Sequence, residues 1–180
     1  MRISRLPFWL LSLCLLTAQE PATAPEKLAP YYPTPHSVVQ RMLEVGGLKP
    51  GEKHYDLGSG DGRIVIMAAS KFKADSTGVE IDDKLWEEST SEIRKQRLDK
   101  RARIIKGDLY QQDYSSADLI TVYLLPSSNT KIRPLLEKQL KKGTRIVSHD
   151  FEFAGWKPTR TEDISDDGEG RSHTLYLYVR

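Results

Sequence analysis

Residues Tyr55–Ile64 read YDLGSGDGRI, with three glycines and two aspartates gathered in one turn after a short extended segment. Glycines in such a turn let the backbone approach a ligand closely, and one common use is to seat a pyrophosphate on a helix N-terminus. The spacing here is G-x-G-x-G (Gly58, Gly60, Gly62) rather than the G-x-G-x-x-G of dinucleotide sites. Asp56 and Asp61 also flank the turn. A carboxylate about 5 Å from a phosphate charge costs roughly 3 kcal/mol at an effective dielectric of about 20. The turn is therefore expected to receive a cation.

Outward from this turn the chain alternates strand and helix. PTPHSVVQRMLEVGGL places Thr34 as an expected N-cap and Pro35 at the first helical position, with an apolar stripe through Val38, Val39, Met42 and Leu43. RIVIMAASKF reads as the helix after the turn, STGVEI as the second strand and DDKLWEESTSEIRKQRLDK as a long amphipathic helix. ARIIKGD, ADLITVYLLP and TRIVSHDF read as three further strands, with TKIRPLLEKQLKKG as the helix before the last of them. HTLYLYVR closes the chain as an alternating strand, and TEDISDDGEGR before it reads as a solvated turn, with an acidic lip for a lysine-bearing partner as the alternative. This order predicts an α/β fold with a mainly parallel sheet covered on both faces. Ligands then sit outside the carboxyl ends of the strands, where strand order reverses.

A ligand carrying an ammonium and a sulfonium suits the acidic glycine turn, and S-adenosyl-L-methionine is such a ligand. Glu80 ends the second strand, where a carboxylate accepts from both hydroxyls of a ribose. A dinucleotide would use the same residue, so Glu80 does not discriminate alone. Asp108 follows the third strand in GDLY, placed to accept from an adenine amino group with Leu109 against the ring. The expected cofactor set is Tyr31, Asp56, Gly58, Ser59, Gly60, Glu80, Asp108 and Leu109. Tyr31 and Tyr32 precede the first helix, where they can pack the linker onto the domain.

DLGSGDGR, GVEID, GDL and ADLITVYLL together resemble the class I, seven-strand S-adenosylmethionine-dependent methyltransferases. PYYPTPHSVVQRML and LKKGTRIVSHDFEFAGWKP extend the likeness to the protein-lysine methyltransferases whose animal members modify the ATP synthase c-subunit and the adenine nucleotide translocase. The resemblance covers about residues 30–158. It implies a Rossmann-like seven-strand sheet with an antiparallel C-terminal strand, cofactor residues at Asp56, Gly58, Gly60, Glu80 and Asp108, and a lysine acceptor. For Tyr31 and Tyr32 it implies closure over the cofactor as the alternative to packing the linker. The charged RKQRLDKRAR tail of the third helix departs from the family and puts a shared partner surface in doubt.

Lysine titrates near 10.4, so presenting its neutral amine at pH 7 costs about 4.6 kcal/mol. A proton acceptor is expected near the cleft, and the candidates are Tyr123 after the fourth strand and His149 and Asp150 after the fifth, with Tyr123 and Asp150 carried forward as catalytic. No two histidines have metal-ligand spacing, so no metal is expected. His54 reads as a hydrogen-bonded, half-buried histidine and His36 as a surface residue. Trp156 either caps the acceptor cleft or fills the core edge.

The 180 residues favour one domain, and the single cysteine, Cys14, excludes internal disulfides. Residues 1–18 carry Arg2, Arg5 and the apolar run Leu6–Leu16, and read as a signal peptide or hydrophobic anchor. Residues 19–29 read as a Pro/Ala-rich linker and 30–180 as the methyltransferase domain. Without the two arginines the chain has 25 basic and 25 acidic residues, which argues against a nucleic-acid partner. A protein substrate, including a membrane protein, fits an anchor that keeps the domain at a membrane. Export is the other location this segment allows. A small-molecule methyltransferase, a non-catalytic cofactor-binding protein and, more distantly, a dinucleotide-dependent oxidoreductase are the competing classes. The acceptor and oligomeric state stay open.

Overall fold

The computed structural model describes residues 31–180; the segments read as signal or anchor (1–18) and linker (19–29), together with Pro30, lie outside the described residues. The elements alternate: α1 (His36–Val45), β1 (Lys53–Leu57), α2 (Arg63–Ser70), β2 (Asp75–Glu80), α3 (Asp83–Lys95), β3 (Ala102–Lys106), β4 (Leu119–Val122), α4 (Pro126–Gln139), β5 (Arg145–His149), β6 (Arg160–Ile164) and β7 (His173–Val179), with a 3-10 turn at Leu109–Gln111. The seven strands form one sheet in the order β3-β2-β1-β4-β5-β7-β6. β1 to β5 pair in parallel, while β7 runs antiparallel to both β5 and β6. The seven-strand, mainly parallel architecture is as expected.

Side-chain alternation sorts the sheet into two apolar layers. Leu57, Val79, Ile120, Val122 and Ile146 face the side covered by Ile132 and Leu136 of α4. Leu119, Val147 and Leu175 face α1, whose Val38, Val39, Met42 and Leu43 are fully buried. Asp82 caps α3 by accepting from the backbone N–H groups of Lys84 and Leu85, and Arg94 and Lys95 sit in its last turn, complementing the helix dipole. Among the described residues no helix is long and apolar enough to cross a membrane.

Three local expectations need correcting. Thr34 does not cap α1, because its hydroxyl is bonded to His149 Nδ1 at 3.3 Å, and Pro35 occupies the cap position instead. His54 is fully rather than half buried. RTEDI, within the stretch read as a turn and its approach, forms β6. Its charges suit an edge strand whose outer side faces water, so no apolar alternation marks it.

Candidate functional site

Strand order reverses between β1 and β4, and a cleft opens there at the strand carboxyl ends. Its walls include Tyr31, Asp56, Gly58, Ser59, Gly60, Glu80, Asp108 and Leu109, together with Tyr123 on the far side. The expected cofactor residues, drawn from separated segments, thus line one cleft, and Tyr123 joins them. Asp150 does not line the cleft; it lies one strand further, where the tilted rings of Tyr123 and His149 have centroids 3.9 Å apart.

The glycine turn is held open by backbone geometry. Gly58, Gly60 and Gly62 all have positive φ, and a Cβ on Gly60 would lie 2.8 Å from the Tyr31 ring. Tyr31 therefore packs directly on the turn. Arg63 donates to both Asp61 oxygens and, at 2.9 Å, to the Thr34 carbonyl, which clamps the 31–34 segment over the cleft. Burial works to raise the Asp61 carboxyl, but the bonds from Arg63 outweigh it and leave Asp61 below the usual range. Asp61 is therefore not the open cation partner that the sequence suggested, because Arg63 already neutralises it.

Asp56 carries that charge alone. It is 2% exposed, and its Oδ1 accepts from the Thr121 hydroxyl at 2.7 Å. The same hydroxyl lies 2.9 Å from His54 Nε2, and His54 Nδ1 lies 2.7 Å from the Ser76 hydroxyl. With Asp56 ionised, Thr121 gives it its one proton. His54 Nε2 must then donate to Thr121, and Nδ1 accepts from Ser76. Burial keeps His54 neutral, pushing it down to about 3. Registers His54↔Ser76 and Asp56↔Thr121 line up this chain across three neighbouring strands. Nothing in the sequence signals Ser76 or Thr121, because each comes from a different strand.

Asp56 Oδ2 and Ser59 Oγ are buried with no partner among the described residues. Burial, with help from the charges of Glu80 and Asp61, pushes the Asp56 carboxyl up to about 7 against the Thr121 bond. Two unpaired buried oxygens on a glycine turn fit a ligand that brings N–H donors and positive charge. Glu80 is fixed by three backbone donors, Gly60 N at 2.7 Å on one oxygen and Ile81 N and Asp82 N at 2.9 and 2.8 Å on the other. A carboxylate has about four acceptor positions, so one remains, on the oxygen facing Gly60. Accepting from both hydroxyls of a ribose thus requires them to share that oxygen. Asp108 uses one oxygen to hold Tyr110 N at 2.9 Å, and Leu109 is buried beside it.

Beyond Tyr123 lies a second group of polar side chains. Asp150 has φ 58°, a left-handed conformation, and its Oδ1 accepts from Thr174 N at 2.9 Å. The Tyr123 hydroxyl lies within reach of its charge, and the pKa of that hydroxyl is raised, chiefly by burial and then by Asp150. Burial pushes His149 down to about 4 despite Asp150. His173 lies 2.9 Å from His149 Nε2; 24 residues separate the two, so spacing could not reveal the pair. Trp156 stacks on Phe153 at the core edge, 4.7 Å between ring centroids, rather than over the cleft. His36 is exposed, as expected.

A family model described as the ANTKMT methyltransferase domain matches residues 56–160. The chain is 45% identical over 151 residues to a protein-lysine N-methyltransferase of Saccharolobus islandicus (strain REY15A), covering 83% of this chain and 92% of that protein. It is 27% identical to the lysine N-methyltransferase of the ATP synthase c-subunit from Rattus norvegicus, spanning 65% of that protein's length and 83% of its own. Among solved structures, an RNA methyltransferase from Salinibacter ruber in complex with S-adenosyl-L-homocysteine superposes with a TM-score of 0.77 at 42% identity, covering 82% of this chain and 93% of that one. The chain belongs to the ANTKMT methyltransferase domain family and is an S-adenosyl-L-methionine-dependent methyltransferase.

Proposed function

We propose that the acceptor is a lysine side chain of a protein and that it enters at the carboxyl ends of β4 and β5. The observation that carries this reading is the neighbourhood of Tyr123 and Asp150, a phenol lining the cofactor cleft with a carboxylate close enough to act on it by charge. When bound, S-adenosyl-L-methionine supplies an electrophilic methyl group on a sulfonium. The chain's own residues then have separable tasks. Asp56 and Ser59 hold the ammonium end, Glu80 the ribose, and Asp108 and Leu109 the adenine. Gly58 and Gly60 give backbone access, and Tyr31 excludes water above the turn. Asp150 takes the lysine proton, directly or through the Tyr123 hydroxyl, so that the neutral amine faces the methyl group.

The rim favours a cationic acceptor. Glu162, Asp163, Asp166, Asp167 and Glu169 lie in or beside the β6–β7 connection next to Asp150. Arg171 pairs with Asp167 and Glu169, and Arg41 and Arg160 pair with Glu162, which offsets part of this charge. Clustered acids repel phosphates and attract lysine, which favours protein over RNA. We also propose that residues 1–18 keep the enzyme at a membrane, which brings membrane proteins within its reach; the support is the Leu6–Leu16 apolar run behind two arginines.

The test is transfer of a tritiated methyl group from the cofactor to membrane and soluble protein fractions and to total RNA. Label recovered as methyl-lysine after acid hydrolysis is expected. Tyr123→Phe and Asp150→Asn should slow transfer at least tenfold with cofactor affinity unchanged. Label confined to nuclease-sensitive material would overturn the lysine reading.

A further inference from the structure

His149 Nε2, His173 Nδ1 and Asp150 Oδ2 stand at the corners of a small triangle, with edges of 2.9, 3.0 and 3.3 Å. The three atoms converge on one point although each residue has another neighbour on its far side. His173 Nε2 faces the Asp167 carboxylate at 3.4 Å, and Asp167 accepts there, since the backbone of Glu169 and Arg171 and the guanidinium of Arg171 all donate to it. A neutral His173 therefore carries its proton on Nε2 and turns a bare lone pair toward Asp150 Oδ2, itself an acceptor. His149 Nε2 adds a third polar atom to the same point, while its Nδ1 is held by Thr34. His173 Nδ1 and Asp150 Oδ2 thus face each other at 3.0 Å as acceptors, joined either by a proton on His149 Nε2 or by a cation that all three atoms share.

The spacing fits a metal ion. Ligand atoms about 2.1 Å from one ion are about 3.0 Å apart at right angles and about 3.4 Å apart at the tetrahedral angle. The three edges fall within or close to this range, so an ion needs little movement of the side chains. Both imidazoles have the outer support usual for ligating histidines, a carboxylate behind His173 and a hydroxyl behind His149. The histidines are buried and the Asp150 side chain is 25% exposed, which gives the ion a way in. Two imidazoles and one carboxylate are a donor set for first-row transition ions, not for calcium or magnesium.

We propose that His149, Asp150 and His173 form a binding site for one divalent transition ion such as zinc, placed beside the acceptor end of the cleft. The site has a consequence that rests on the lysine reading above. An ion occupies the Asp150 oxygen that would take the acceptor's proton, and it turns a local charge of −1 into +1. The loaded enzyme then repels a lysine ammonium and lacks its proton acceptor, so the ion is an inhibitor of transfer.

The experiment uses the full-length chain, stripped with a chelator and titrated with zinc by equilibrium dialysis and with cobalt(II) by visible absorption. One ion per chain is expected, with cobalt bands that mark nitrogen and oxygen ligands. His173→Ala should abolish both signals, and Asp150→Asn, which keeps a residue tolerant of the left-handed backbone, should weaken them at least tenfold. His36→Ala, an exposed histidine outside the triangle, should leave them unchanged. Circular dichroism and cofactor affinity check that the variants fold. Less than one ion per folded chain, or binding that survives His173→Ala, would overturn the site and leave a shared proton as the cation. In the transfer assay zinc should slow the wild type at least tenfold and leave the His173→Ala variant unaffected. Stoichiometric zinc without that slowing would overturn inhibition alone, because the dialysis does not depend on the acceptor.

Discussion

Asp56→Asn should make the ligand-free protein more stable while removing its ability to bind the cofactor. In the folded chain burial raises the Asp56 carboxyl from 3.8 to about 7, so folding favours its neutral form. A group with a raised folded pKa contributes its full stability below the unfolded value and loses it as pH rises through the folded one. For Asp56 that window runs from 3.8 to about 7. The loss relative to a neutral amide grows to about 2 kcal/mol at pH 5 and about 4 kcal/mol at pH 8. His54 and His149 act with the opposite sign, since burial lowers both, to about 3 and about 4. Their stability is present above the ordinary histidine value and is lost on acidification. The wild-type profile alone therefore mixes these effects. The assay is urea unfolding of wild type and Asp56→Asn without cofactor at several pH values, reading the difference at unchanged m. A difference that widens by roughly 2 kcal/mol from pH 5 to pH 8 is expected. A difference independent of pH would refute the claim that Asp56 is held at the cost of stability for a cationic ligand. Calorimetry on the same samples should show cofactor binding by the wild type alone.

Thr121→Val leaves Asp56 Oδ1 and His54 Nε2 without their shared partner; at about 1–3 kcal/mol for each stranded group, unfolding should show a loss of about 2–6 kcal/mol together with weaker cofactor binding. Gly60→Ala forces a left-handed conformation costing about 1–2 kcal/mol and drives its methyl into the Tyr31 ring, so calorimetry should show cofactor affinity falling severalfold, with Tyr31→Ala reproducing only the affinity loss.

The cofactor side of the site was legible because its residues sit at landmarks. A glycine turn, the acid ending β2 and the acid after β3 are each marked by their place at the end of a strand, and parallel strands bring those ends to one edge. Thr121 and Ser76 have no such mark. They read as ordinary strand residues until the registers set them beside Asp56 and His54. Asp61 differs from its expected role for a related reason, since a carboxylate two residues from an arginine reads as ligand-facing or paired depending on a rotamer that the packing of Tyr31 and Thr34 decides. β6 has no sequence signature because an edge strand buries little and carries charge.

The sequence by itself determined the order of strands and helices apart from β6, the backbone opening at Gly58–Gly62 and the row of carboxylates that selects a cationic cofactor. These depend on chain-local conformation and on period, which neighbouring residues set. The tertiary structure alone decided which carboxylate stays free, how His54 is tied to Asp56, and that His149, Asp150 and His173 share one point. β7 returns antiparallel against β5 with His149 opposite Leu175, which carries His173 over the end of the fifth strand. Such convergence is set by register between distant segments, and burial then fixes the proton positions that their charges can adopt.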